Sequence, residues 1–97
     1  MMRKIKESHE FKKAKRRIER SGRYVKAMKE RFLPALITLA NDGALDYSYH
    51  DHELHGDYEG SRECHILFDL LLVYRYEDDD NVLWLEKLGS HSEILGL

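Results

Sequence analysis

The hydrophobic residues of the chain follow a helical period in its first half and a strand period in its second half. Phe11, Ala14 and Ile18 recur every three or four positions, the spacing that places side chains on one face of an α-helix. Ser8 is a typical N-cap residue, and Gly22 suits the left-handed position that ends many helices. The pattern therefore predicts a first helix between these two residues.

A second helical pattern runs from about Arg23 to the Asn41-Asp42-Gly43 turn. Its apolar residues have the same spacing, which predicts one buried face made of Val25, Met28, Phe32, Leu36 and Leu39. Pro34 lacks an amide proton and crowds the preceding turn, so it should kink this helix or divide it. Two helices joined by a short Ser-Gly turn predict an antiparallel helical hairpin.

The strand pattern predicts one short edge strand before the hairpin, around Ile5, and three strands after it. Residues 44–56 have no clear period and predict a loop. The residues from 69 to 77 are apolar on both faces, which is typical of a central strand. A short helical turn is predicted at residues 92–97. The three later strands are predicted at residues 58–67, 69–77 and 82–87.

The turn at residues 78–81 sets an expected register for the last two strands. It places Glu77 opposite Val82, Arg75 opposite Trp84, and Asp69 opposite Ser90. This hairpin would bring Asp69 beside His91, although the two residues are far apart in sequence. The element order predicts an α+β fold, in which a helical hairpin packs on a small, mostly antiparallel sheet.

Length and composition limit the class of protein. A chain of 97 residues with 42% apolar and 35% charged residues predicts one globular domain spanning residues 1–97. The longest apolar run, residues 32–40, is too short to cross a bilayer, and no secretory signal is evident. We therefore expect no role at a membrane. Cys64 is the only cysteine, which favours a reducing compartment such as the cytoplasm.

The net charge of −2 conceals a strong asymmetry. Residues 1–31 carry thirteen of the sixteen Lys and Arg residues but only four acids. Such a segment favours contact with a polyanion such as RNA, although the basic hairpin could instead pair with an acidic sheet edge. Tyr74, Tyr76 and Trp84 could stack on bases, but their alternating positions favour packing. The basic face proposed to contact RNA comprises Lys12, Lys13, Arg16, Arg17, Arg20 and Arg23.

Histidines are concentrated between residues 50 and 65. His50, His52 and His55 could bind zinc together with Cys64 and His65, since imidazole and thiolate are zinc ligands. The H-x-H-x-x-H spacing matches no strong zinc pattern, however, and the three histidines fall in a predicted loop. We therefore expect no metal and no cofactor.

Acid–base chemistry is a second interpretation of the same region. An imidazole titrates at about 6.5, so one histidine can accept a proton while another donates one. RNA cleavage by the 2′-hydroxyl requires both steps, together with a cation such as Lys87 to stabilise the charged phosphorane. Surface polar residues at strand ends remain the alternative. The residues proposed for this chemistry are His52, His65, Asp69 and His91.

Three motifs together resemble the YafQ branch of the RelE/ParE toxin superfamily, and the resemblance covers nearly the whole chain. They are Tyr49-x-Asp51-His52-x-Leu54-x-Gly56, Gly60-x-Arg62-Glu63-x-His65-x-x-x-Asp69-x-Leu71-Leu72-Val73-Tyr74, and Leu88-Gly89-Ser90-His91-Ser92-Glu93-Ile94-Leu95. The resemblance implies a RelE-like toxin domain that cleaves mRNA in the ribosomal A site. It also implies a cognate antitoxin as partner.

The resemblance also implies roles for individual residues. His52, His65, Asp69 and His91 match the functional set of the family, the last of them as proton donor, and Glu63 matches its auxiliary acid. His50 and His55 match no functional position. The chain departs from the family pattern where relatives often carry tryptophan, arginine and an aromatic residue, at Leu70, Lys87 and Leu95.

Two other functions remain open at this point. The superfamily includes non-enzymatic gyrase inhibitors on the same fold, for which paired acid–base residues would be unnecessary. A nucleic-acid-binding module acting through the basic face is the other alternative.

Overall fold

The computed structural model describes residues 2–96 and has the predicted α+β architecture. Its five-stranded sheet has the order β1-β5-β4-β3-β2, in which β1 pairs with β5 in parallel and all other pairs are antiparallel. The elements are β1 (Lys4–Glu7), α1 (His9–Ser21), α2 (Val25–Ala27), a π-helical segment (Met28–Phe32), α3 (Leu33–Ala40), β2 (His52–Glu53), β3 (Arg62–Leu67), β4 (Leu70–Glu77), β5 (Val82–Gly89) and α4 (His91–Leu95).

The first helix begins and ends at the predicted residues. The Ser8 hydroxyl accepts a hydrogen bond from the Phe11 amide at 2.9 Å, which satisfies one of the free N–H groups of the first turn. Gly22 adopts the left-handed conformation with a φ of 68°. Helix α1 buries Phe11, whose ring stacks on that of Phe32 at 6.1 Å and so joins the two arms of the hairpin.

The second helical region is divided, as Pro34 predicts. Because Pro34 has no N–H, the ladder cannot continue regularly through it, and a π-helical segment precedes the first turn of α3. The predicted buried face is confirmed at Phe32, Leu36 and Leu39. The prediction of a buried side chain is wrong at Val25, which is 66% exposed. Helix α2 is only one turn long and lies at the rim of the hairpin.

The sheet is buried on both faces, although unequally. The helices cover one face and form the main core with Cys64, Ile66, Leu72 and Tyr74. On the other face, Leu71, Val73 and Ile94 form a smaller cluster, against which Leu54 packs. Tyr74 is therefore a core residue, as its strand position favours. As predicted, β4 is the central strand.

The hairpin register is correct near its turn and shifts by one residue farther along. Glu77 lies opposite Val82 and Arg75 opposite Trp84, as predicted. A β-bulge at Glu86 then changes the pairing, so that Val73 faces Lys87. The predicted pairing of Asp69 with Ser90 is therefore wrong, because the bulge moves β5 forward by one residue. With this shift Asp69 lies directly beside His91, as predicted, and the two side chains form a hydrogen bond.

Four predicted boundaries also differ from the structure. The region from 44 to 56 is not all loop, because β2 pairs His52 with Glu63 on β3. Strand β3 begins at Arg62 rather than at residue 58, since residues 56–58 form a 3-10 turn. Strand β5 continues to Gly89, and α4 begins at His91. The predicted last residue of that helix, Leu97, lies outside the described residues.

None of the helices in residues 2–96 combines the length and the apolar character that a membrane-spanning segment requires.

Candidate active site

Four separate elements bring the proposed acid–base residues to one edge of the sheet. His52 lies on β2, His65 on β3, Asp69 in the turn before β4, and His91 at the start of α4. The ring centroids of His65 and His91 are 5.5 Å apart, and those of His52 and His65 are 6.4 Å apart. The structure therefore brings together all four residues that the sequence proposed. We call His50, His52, His65 and His91 the histidine cluster.

Asp69 fixes the position of His91. Its Oδ1 accepts hydrogen bonds from the backbone N–H of His91 at 2.9 Å and from the ring Nδ1 at 2.7 Å. The backbone bond, followed by the ring bond, lowers the pKa of Asp69 below its usual value of 3.8. A carboxylate bound to Nδ1 leaves Nε2 as the nitrogen of His91 that is available for proton transfer.

The last turn of the chain is built to hold His91 in place. Ser90 caps α4 through its hydroxyl, which accepts from the Glu93 amide, while Glu93 accepts from the Ser90 amide at 2.9 Å. This reciprocal capping box satisfies two amides that the helix would otherwise leave free. His91 is therefore oriented at both its backbone and its side chain.

Glu63 is the buried acid of the site, with only 4% of its surface exposed. Its Oε1 lies 3.5 Å from Nε2 of His52 and 3.8 Å from Nε2 of His65. Its Oε2 has no hydrogen-bond partner among residues 2–96. A buried carboxylate without full pairing is costly, so the position of Glu63 between two imidazoles favours a functional role over a purely structural one.

His65 is the most enclosed histidine of the cluster. Burial lowers its pKa below the usual 6.5, and the nearby His91, His50 and His52 also lower it, while Glu63 acts in the opposite direction. His65 therefore favours the neutral form, in which an imidazole nitrogen can accept a proton.

Asp51 explains why an acid precedes His52 in the motif. Its carboxylate accepts hydrogen bonds from the Tyr74 hydroxyl at 2.6 Å and from the Arg62 guanidinium at 3.2 Å. Burial and the adjacent Asp51 raise the pKa of Tyr74, which keeps its hydroxyl protonated as a donor. Asp51 thereby fastens β2 to the sheet, and β2 carries His52.

Lys87 lies apart from the histidine cluster. Its Nζ donates to the Tyr58 hydroxyl at 2.9 Å and is 3.7 Å from the Glu10 carboxylate. The hydrogen bond to Tyr58 is the main cause that raises its pKa. In the strand register, Val73 separates Lys87 from Glu63, so the two residues are about 10 Å apart across two strand spacings.

The basic face lies on α1 and the turn after it, and all six of its residues are exposed. Lys13, Arg16, Arg17 and Arg20 line one cleft of about 380 Å³. Within residues 2–96, Arg17 is the member of this face that forms an ion pair, at 3.4 Å from Glu93. The alternative in which the basic hairpin pairs with an acidic sheet edge therefore accounts for little of this charge.

Sequence reasoning missed two residues that shape the site. Arg31 donates to the Ile66 carbonyl at 2.9 Å, and its guanidinium lies 3.9 Å from the centre of the Tyr49 ring. It thus ties the loop before β2 to β3. The His50 ring lies 5.5 Å from that of His65, although the motifs assigned it no role. Both residues owe their place to contacts with β3 or with the loop before β2 that are distant in sequence.

A metal ion could contact part of the site, but of the zinc ligands first considered only His65 is in the set. One ligand atom each from Glu63, His65 and His91 lies within 4.8 Å of the others. Ligand atoms around a tetrahedral zinc are about 3.3 Å apart, so this set would have to contract to bind one. His55 lines a different cleft with Glu53 and Arg62, and Cys64 is fully buried with its pKa raised to about 12 by burial.

Comparisons with known proteins identify the family to which the chain is similar. A family model described as the bacterial toxin of a type II toxin–antitoxin system, YafQ, matches residues 3–96. The chain is 34% identical to the mRNA interferase toxin YafQ of Escherichia coli strain K12 over 91 residues, which cover 84% of this chain and 97% of the relative. It is also 37% identical to a Haemophilus influenzae protein described as a toxin YafQ, over 65% of this chain but only 64% of that protein.

Solved structures show the same fold. A metal-bound toxin from Helicobacter pylori superposes with a TM-score of 0.84 at 36% identity, covering 96% of this chain and 99% of the other. The DinJ–YafQ toxin–antitoxin complex of E. coli contains a chain that matches with a TM-score of 0.79 at 28% identity, covering 99% of this chain and 100% of that one.

Proposed function

Because the chain belongs to the YafQ family of toxins of type II toxin–antitoxin systems, we propose that it is an endoribonuclease that cleaves mRNA at the ribosomal A site. The name of the E. coli relative, an mRNA interferase, supports the reaction class. The observation that carries the proposal is the Asp69–His91 pair, with its 2.7 Å hydrogen bond, beside the half-buried His65. This arrangement supplies a proton acceptor and an oriented proton donor at one place.

The proposed reaction uses the substrate's own 2′-hydroxyl as nucleophile. A base removes the proton from this hydroxyl, and the 2′-oxygen attacks the adjacent phosphorus. The bond from phosphorus to the 5′-oxygen breaks, and an acid gives that oxygen a proton. The products are a 2′,3′-cyclic phosphate and a free 5′-hydroxyl, and the two histidines exchange protonation states.

We assign the base to His65 and the acid to His91. Burial favours neutral His65, and Glu63 can stabilise the charge that His65 gains. Asp69 holds Nδ1 of His91 and stabilises its protonated form, as the aspartate of a catalytic triad orients its histidine. His52 shares Glu63 with His65 and is placed to contact the phosphate or to serve as an alternative base.

Lys87 and the basic face would act on the phosphates rather than on protons. The raised pKa of Lys87 keeps it positively charged, and it must leave Tyr58 and Glu10 or act over a longer range to reach a phosphorane. The basic face offers sequence-independent affinity for the phosphates of mRNA and ribosomal RNA. The ribosome would then position the mRNA at the histidine cluster.

A translation assay with purified ribosomes tests the proposal. We expect wild-type protein to cut mRNA within the A-site codon and leave a 5′-hydroxyl on the downstream fragment. His91→Ala should reduce the cleavage rate by about 10²- to 10⁴-fold, the usual contribution of a general acid. His55→Ala is the matched control, because His55 lies outside the cluster. Full cleavage by His91→Ala would overturn the assignment.

The proposed antitoxin partner has a suitable surface on the helical hairpin. An apolar groove of about 510 Å³ is lined by residues that include Ile5, Val25, Met28 and Leu33. Its charged residues are balanced, two lysines and two glutamates: Lys15, Lys29, Glu7 and Glu19. Val25 and Leu33 are more than half exposed, and such patches are typical of protein interfaces. The exposed apolar residues favour an amphipathic segment, and the E. coli complex supports an antitoxin as its source.

Introducing a charge into the groove tests this surface separately from cleavage. Leu33→Asp should weaken co-purification with the antitoxin encoded beside the gene while leaving mRNA cleavage unchanged. Ile37→Asp is the control, because Ile37 is equally exposed and is not among the groove residues. Unchanged antitoxin affinity in Leu33→Asp would exclude the groove.

The two other functions make different predictions. A gyrase inhibitor would produce DNA breaks after induction and would tolerate loss of His65 or His91. A simple nucleic-acid-binding module would lose function when Arg16, Arg17 and Arg20 are reversed, and His91→Ala would leave it intact. Mapping of RNA ends and of DNA breaks in the same induced cells separates the three.

A further inference from the structure

Two exposed aromatic rings stand at opposite ends of the histidine cluster. Tyr47 is 91% exposed and Phe68 is 87% exposed, which makes them the most exposed large hydrophobic side chains of residues 2–96. The Tyr47 ring is 6.1 Å from that of His50, and the Phe68 ring is 6.4 Å from that of His91. Because His50 and His91 each lie 5.5 Å from His65, five rings form one continuous row.

The backbone under each exposed ring is held firmly. Phe68 lies in the two-residue turn between β3 and β4, whose next residue, Asp69, is bound to His91. Tyr47 opens a 3-10 turn in which the Asp46 carboxylate accepts from the Ser48 amide at 2.9 Å. Arg31 also donates to the Ser48 hydroxyl at 3.0 Å. Each ring is thus presented to solvent on a fixed support rather than on a loose loop.

Neither ring contributes to the core of the fold. The two hydrophobic clusters include neither Tyr47 nor Phe68, and exposed aromatic side chains lose the stabilisation that burial would give. An open cleft of about 740 Å³ is lined by Phe68 and by His50, the neighbour of Tyr47. Its other lining residues include Arg31, His52 and His65. The cleft combines apolar walls with a cation, which suits a nucleobase and its phosphate better than an apolar peptide.

We propose that Phe68 and Tyr47 are stacking platforms for the two nucleotides on either side of the scissile phosphate. This inference rests on the proposed function and assigns the direction of the RNA. His91 protonates the 5′-oxygen of the leaving nucleotide, so the neighbouring Phe68 stacks on the base 3′ of the cut. Tyr47 lies beyond His65, on the side of the 2′-hydroxyl, and stacks on the base 5′ of the cut.

Stacking on a planar side chain favours large bases without reading their hydrogen-bonding edges. The preference for the nucleotide after the cut would therefore follow base size and stacking strength. Phe68 contacts substrate in this arrangement but takes no part in proton transfer. Its loss should consequently weaken binding more than it slows the chemical step.

Binding of an uncleavable RNA tests the proposal. The probe is a short single-stranded RNA with one 2′-deoxynucleotide at the cleavage position and 2-aminopurine immediately 3′ of it, whose fluorescence reports stacking. We expect wild-type protein to quench the fluorescence and Phe68→Ala to lose quenching with an affinity at least about fivefold weaker. Phe68→Trp should restore both. Moving 2-aminopurine to the 5′ side should transfer the sensitivity to Tyr47→Ala.

Two controls separate this inference from the proposed cleavage. Ile37→Ala removes an exposed apolar side chain outside the cleft and should bind as wild type. His91→Ala should retain quenching while losing cleavage, and retained cleavage would contradict the proposed function but not the stacking. Equal probe binding by wild type and Phe68→Ala, including undetectable binding by both, would overturn the stacking proposal.

Discussion

Asp69 and His91 are joined by two hydrogen bonds to the same carboxylate oxygen, one from the backbone N–H at 2.9 Å and one from Nδ1 at 2.7 Å. The two residues are 22 positions apart in sequence. The pair joins the turn before β4 to the first residue of α4, so a contact between the ends of two elements sets the geometry of the proposed acid.

The first prediction concerns this pair. Asp69→Asn should lower the rate constant for RNA cleavage by about 10- to 100-fold, because the amide cannot stabilise protonated His91, as part of the roughly 10²- to 10⁴-fold effect of general acid catalysis. In a His91→Ala background, the same change should have almost no further effect. Additive losses in single-turnover kinetics would show that Asp69 acts independently of His91.

The second prediction concerns the pH dependence of stability. The pKa of His65 is lowered from 6.5 by burial, so the unfolded chain binds this proton more tightly than the folded chain does. The free energy of unfolding should therefore fall as the pH drops from about 6.5 through the lowered pKa, and the effect should be absent above that window. Urea unfolding of wild type and His65→Gln at pH 7.5 and 5.5 measures it. The same slope in both proteins would contradict the assignment.

The third prediction concerns the role of Glu63 in cleavage. Its negative charge raises the pKa of His65 against the effect of burial. Glu63→Gln should therefore move the acidic limb of the kcat/KM profile to lower pH, since His65 then stays neutral in more acidic solution. Glu30→Gln is a matched control on the exposed helix surface. A shift toward higher pH would show that Glu63 does not act through this base.

The fourth prediction concerns metal ions. A similar H. pylori toxin structure is metal-bound, and Glu63, His65 and His91 offer three ligand atoms within 4.8 Å. Zn²⁺ should inhibit cleavage reversibly by occupying the base and the acid, whereas Mg²⁺, which prefers oxygen ligands, should not. Chelation should restore activity. Glu63→Gln should bind Zn²⁺ more weakly in calorimetry, and an unchanged affinity would place the ion elsewhere.

The fifth prediction concerns Cys64. The side chain is fully buried in the main core, and burial raises the pKa of its thiol to about 12. A protonated, enclosed thiol is a poor nucleophile, so the folded protein should resist alkylation by iodoacetamide at pH 8 and react fully in denaturant. Rapid labelling of the folded protein, followed by mass spectrometry, would show that β3 opens readily.

Much of this fold is determined by local patterns that a sequence displays directly. The capping of α1 by Ser8 and Gly22 and the turn that pairs Glu77 with Val82 depend on neighbouring residues only. The bulge at Glu86 depends on tertiary packing instead, because Leu85 and Leu88 enter the same core although they are three residues apart in the strand. Strand β2 was missed for a similar reason, since two residues have no measurable period and are held by Asp51 instead.

The candidate site likewise has features that the sequence predicts and features that only the fold determines. The strand register and the family-like motifs predicted that His52, His65, Asp69 and His91 belong to one site, and the structure brings these four residues together. The separation of Lys87 from the cluster and the proximity of His50 to His65 follow from strand order and register. Val25 failed as a core residue because helical spacing indicates which face it shares, not how far the packed surface extends.

The placement of His91 has a consequence for the order of events during synthesis. The ribosome makes a chain from its N-terminus, so β5 and α4 emerge after the strands that carry His52 and His65. Until β5 pairs with β4, Asp69 has no imidazole to orient and His65 has no proton donor beside it. The proposed active site would thus be complete only after β5 and α4 have been made and have packed on the earlier strands.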